Sequence, residues 1–154
     1  MKFLVTNELR QNPLLKLLIG FFVGILILFA GLDLLLCHYQ IGLTPDKART
    51  TLLGEEEAFI EPLLFDVLLE RIHISLFVSI LMLVLLVIVF MRVSGNDSKK
   101  MIHTAFLSAI LAPVSLLLGY FFGGLFIPLW IALFVLWHLC ALYFAAASLL
   151  RLLR

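Results

Sequence analysis

Residues 70–93 read ERIHISLFVSILMLVLLVIVFMRV. No charged side chain interrupts the run from Ile72 to Met91. An α-helix needs about 20 apolar residues to cross ~30 Å of hydrocarbon, so this stretch predicts a membrane-spanning helix. Three other runs share its character, at roughly 14–37, 102–123 and 126–149. The first is too long for a signal-peptide core and lacks a small-residue cleavage site, so it predicts a retained helix. The last two meet at GYFFGGLFIP, residues 119–128. There Gly119, Gly123, Gly124 and Pro128 predict a tight turn between antiparallel helices. The expectation is an all-α fold, a four-helix transmembrane bundle forming a single integral membrane domain over 1–154.

Composition agrees with that reading. Of 154 residues, 64% are hydrophobic and 14% charged, against about 45–50% and about 25% in ordinary globular domains. The net charge of +1 lacks the concentrated basic face that nucleic acid requires. Cys37 and Cys140 fall in different apolar runs at different depths, which argues against a disulfide framework.

Charge placement predicts orientation. Lys2, Arg10 and Lys16 precede the first run, Arg92, Lys99 and Lys100 separate the second and third, and Arg151 and Arg154 close the chain. By the positive-inside rule both termini are cytoplasmic. Residues 38–71 then form one outward, acidic loop, in which Lys47, Arg49 and Arg71 face seven acids. The chain is then expected to cross its membrane four times. Within the loop, Thr44-Pro45-Asp46 predicts a helix start and Gly54 its end. Glu61-Pro62 predicts a second start, with one helix running from about 62 to 91 before Gly95 breaks it. Glu55, Glu56 and Glu57 read as a solvated helix start.

Ionisable groups in and beside the apolar runs are the candidates for chemistry. Asp66, Glu70, His73 and Phe77 follow one helix stripe. Asp33 and Cys37 share another, with His38 beside Cys37. Depth counting allows Asp33, His38, Glu70, Arg71 and His73 to meet near the outer interface, with the three consecutive glutamates above them. Glu70 and His73 form an E-x-x-H pair, which supplies two ligands per helix in di-iron bundles; no second copy exists for such a centre. A single divalent metal held by His38, Glu70, His73 and Asp33 demands less. Haem b between His38 and His73 is the related alternative. The plainer reading pairs Asp33 with Arg71 and leaves Glu70 and His73 as an interfacial collar. His103 is expected among phosphate head groups. His138, deep in the last run, is expected to stay neutral and donate to the Ala109 carbonyl freed by Pro113, or to Ser108, with a proton relay as the alternative. No file of acids and histidines crosses the membrane. Gly20 with Gly24, and Ala141 with Ala145 and Ala146, suit close helix packing.

The loop resembles that of a group of small bacterial four-span membrane proteins to which no activity is attached. The matching positions are Gly42, Thr44, Pro45, Gly54, Glu55, Glu56, Pro62, Leu68, Leu69, Glu70, His73, Leu76 and Phe77. The resemblance implies a bacterial inner-membrane protein whose distinctive part is the outward helical loop. The functional expectation is a non-enzymatic subunit or accessory of a membrane complex, bounded by lipid and joined to a membrane-protein partner or to further copies of itself. The alternative is a metal- or haem-binding protein with a redox or metal-handling role.

Overall fold

A computed structural model describes residues 12–94 and 98–153. Lys2, Arg10, Gly95 and Arg154, used above for orientation and helix ends, lie outside them. Among the described residues five helices follow one another: α1 (Pro13–Gln40), α2 (Pro45–Leu53), α3 (Phe65–Ser94), α4 (Lys99–Phe122) and α5 (Phe126–Leu153). All but α2 are long and apolar enough to cross a membrane. The expected all-helical four-span bundle is therefore present.

Local chemistry sets the ends of these helices. Asn12 caps α1, its side chain accepting from the amides of Leu14 and Leu15 at 3.1 and 3.3 Å, with Pro13 in the first turn where no amide donor is needed. At the far end Gly42 adopts φ +99° and its amide returns to the Cys37 carbonyl. Lys47 then reaches back so that its Nζ donates to the His38 carbonyl at 3.2 Å. A cation from α2 thus closes the negative end of α1.

The second half of the loop differs from expectation. Glu61-Pro62 does not start a helix; α3 begins at Phe65. Glu55 and Ile60 instead exchange both backbone hydrogen bonds, at 2.9 and 3.0 Å, around a turn in which Phe59 takes φ +56°. The amide of Leu63 donates to the Thr51 carbonyl, which ties the segment back onto α2. The glutamate run is consequently a small closed turn, not the first turn of a helix.

Ring contacts fix the order of the long helices. Phe65 at the start of α3 meets Tyr120 and Phe121 at the end of α4, at 5.9 and 5.7 Å, so these helices run antiparallel. Phe90, late in α3, meets Phe144 of α5 at 5.0 Å. The α4–α5 connection is the expected glycine turn, with Gly123 and Gly124 at φ +55° and +54°. Gly119 lets α5 come close, since a Cβ there would stand 3.1 Å from Ile127.

The core lies between α3, α4 and α5. Ala105, Ala109 and Ala112 of α4 and Ala141 and Ala145 of α5 are buried, and such small residues let membrane helices approach closely. Ala146 is exposed. Helix α1 stands apart. It packs mainly on α5 and barely touches α3, and only 17% of its most apolar stretch is buried against 44% for α4 and α5.

Candidate functional site

The gap between α1 and α3 is a cleft of about 480 Å³. Phe29, Leu32 and Leu36 of α1 and Val67, Ile74 and Val78 of α3 make its apolar walls, while Asp33, Gln40, Glu70, Arg71 and Ser75 give it polar groups. At 1.5 Å per residue, Asp33 sits about 10 Å inside the end of α1 nearest α2. Helix α1 carries Asp33 and Cys37 one turn apart, and the Arg71 guanidinium of α3 stands beside the buried Cys37 thiol.

Asp33 and Arg71 line the same cleft, but the ionic contact of Asp33 is elsewhere. Its Oδ2 lies 3.3 Å from Nε2 of His138 on α5. The other imidazole nitrogen, Nδ1, stands 2.8 Å from the Phe134 carbonyl. His138 is 1% exposed, with the Phe134 ring centred 4.4 Å and the Trp137 ring 3.6 Å from its own. Neither Ala109 nor Ser108 is its partner, contrary to expectation, and the Ser108 hydroxyl donates to Ala105 at 3.0 Å. The physical reason is direction. Side chains on a helix lean toward its N-terminus, which carries the ring of His138 to the carbonyl one turn back and toward α1.

The Nε2–Oδ2 approach is short enough for an ion pair but is not aligned as a hydrogen bond. Nε2 is left as a buried polar atom with no hydrogen-bond partner. Buried polar groups in that condition are uncommon in folded proteins.

Of the four candidate metal ligands, Asp33 and Glu70 line the cleft. His38 and His73 are exposed, His38 with its ring edge against Tyr39 at 5.6 Å. Among the described residues, no three His, Cys, Asp or Glu side chains stand close enough together to hold a metal ion. The sequence marked both Asp33 and His138 as ionisable groups within apolar runs. Their pairing was out of reach because it depends on α1 lying against α5, and no local signal states which spans are neighbours. Both cysteines are free and buried.

The fold and the polar cleft define a small polytopic membrane protein. Residues 42–154 match the family described as a transmembrane helical domain, and the chain belongs to that family. The match takes in α2 through α5 and leaves α1 outside it. No curated protein and no solved structure matches the chain.

Proposed function

We propose that the protein is a non-enzymatic component of a bacterial inner-membrane complex, a subunit or accessory that docks through α1. The supporting observation is a bare glycine face. Gly20, Gly24 and Gly31 fall on one stripe of the helix by their spacing, and a Cβ added at any of them would meet nothing within 4 Å. In membranes, close approach of helix backbones across small residues is a main source of association. Inside the bundle the alanines of α4 and α5 serve that purpose; on α1 the corresponding surface is left for a helix from outside. Cytoplasmic termini are supported by Lys16, Arg92, Lys99, Lys100 and Arg151, which the antiparallel order of the helices gathers at one end. The acidic turn and α2 then face the periplasm.

Gentle solubilisation of native membranes tests this reading. The wild-type chain is expected to sediment as a species larger than one chain, and a Gly20→Leu/Gly24→Leu variant as a single chain. A wild type that remains single, with no cross-linked product in the intact membrane, overturns it. A complex built only from this chain would replace the subunit reading with a homo-oligomer.

A further inference from the structure

We infer that Asp33 and His138 together form a one-proton binding site buried in the bundle, and that the α1–α3 cleft is its route to the α2 end of the molecule. A carbonyl oxygen only accepts hydrogen bonds, so Nδ1 of His138, 2.8 Å from the Phe134 carbonyl, carries a hydrogen. That assignment leaves Nε2 without one in the neutral ring. It would then present a lone pair to Asp33 Oδ2 at 3.3 Å, and a carboxylate there would present another. Two acceptors cannot face each other at that distance, out of water, without a proton. One further proton therefore belongs to the pair. It rides either on Nε2, making imidazolium beside carboxylate, or on Asp33, making a carboxylic acid beside a neutral ring. The two forms differ in which of the two facing atoms carries that proton.

The surroundings isolate this site from other ionisable groups on nearly every side. Facing it are Cys37 from α1 and, across the cleft, Glu70 and Arg71 from α3. Helix α4 carries no ionisable side chain between His103 and Tyr120, and α3 none between His73 and Arg92. The route is consequently one-ended. Asp33 is 20% exposed at its side chain while His138 is 2%, and the cleft that Asp33 lines is also lined by Ser75, Glu70, Arg71 and, at the α2 end of α1, Gln40. Protons enter and leave by the α2 end, with no second file of titratable groups to carry them onward. This assignment stands independently of docking through α1.

Nitrogen-15 NMR of histidine-labelled protein in lipid nanodiscs tests the site directly. The expected result is that Nδ1 of His138 stays protonated at every pH, while Nε2 shows one transition that is lost in Asp33→Asn. In that variant the amide NH₂ can donate to Nε2 and hold the ring neutral. A neutral ring protonated at Nε2 and bare at Nδ1 would overturn the assignment using the wild type alone. So would a transition unchanged by Asp33→Asn in a variant whose other histidine signals match the wild type. For the route, Ile74→Trp fills the cleft and is expected to slow the response of the Nε2 signal to a pH jump at least several-fold. An undiminished rate would rule out the cleft as the path.

Discussion

Gly54 follows the last residue of α2 and Gly24 lies within α1, and opposite forces act on them. Gly54 has φ +76°, and a Cβ there would stand 2.8 Å from the Ile60 carbonyl oxygen and 2.9 Å from the Pro62 nitrogen. Both are backbone atoms, and the Ile60 carbonyl is held by the Glu55 amide, so neither gives way cheaply. Gly54→Ala is expected to destabilise by about 1–3 kcal/mol. Gly24→Ala, projecting into open space, is expected to leave the isolated chain unchanged or to stabilise it by about 0.5–1 kcal/mol through better helix propensity. Unfolding of both variants in mixed micelles checks the ranking, and the reverse order would show that the turn after α2 is not held as described. Single residues were also where the sequence spoke least fully. His138 was plainly an ionisable group deep in an apolar run, and Asp33 equally so. A sequence gives position along a helix well, but it gives rotation about the helix axis only where a polar stripe marks it. In α1 and α5 most positions are apolar all round.

At the scale of elements, two contacts decide how the bundle holds. The seam between α4 and α5 is built from Ala105, Ala109, Ala112, Ala141 and Ala145, all 0 or 1% exposed. Ala109→Leu puts three extra carbons into that seam and is expected to cost about 1–3 kcal/mol, read as a lowered midpoint of denaturant unfolding. The second contact is between α2 and α1, where Lys47 closes the end of α1 at the His38 carbonyl. Lys47→Met is expected to raise amide hydrogen exchange at residues 38–42 while leaving α4 and α5 unchanged. Equal exchange in variant and wild type would mean that Gly42 alone ends the helix. The four long helices were legible from apolar length, and α2 from Thr44, Pro45 and Gly54. The start of α3 was not. Pro62 fits the first turn of a helix on local grounds, but the Leu63 amide is engaged by Thr51 and Pro62 is pressed against Gly54. Both are contacts with α2 that no local pattern records.

For the whole molecule, the gathering of basic side chains at one end makes orientation testable. A cysteine in place of Glu56 is expected to react with an impermeant maleimide added to intact cells, and one in place of Lys99 only after permeabilisation. Native Cys37 and Cys140 are buried and add little background. The opposite pattern would invert the topology. The family match over residues 42–154 gives α2 to α5 a shared identity, while α1 is the least buried of the long helices. That division bears on how the protein is made. Helix α1 is synthesised well before its main partner, α5. Translation proceeds at about 5–20 residues per second, so Asp33 waits on the order of 5–20 s at the membrane before His138 is made. An acid held in lipid without a partner is costly. A chain ending after Phe122 is therefore expected to be degraded faster than the full chain in a pulse-chase experiment, with Asp33→Leu restoring its lifetime. The Asp33–His138 contact thus forms only once α5 has been made, which ties the burial of an acid on α1 to the synthesis of a residue more than a hundred positions later.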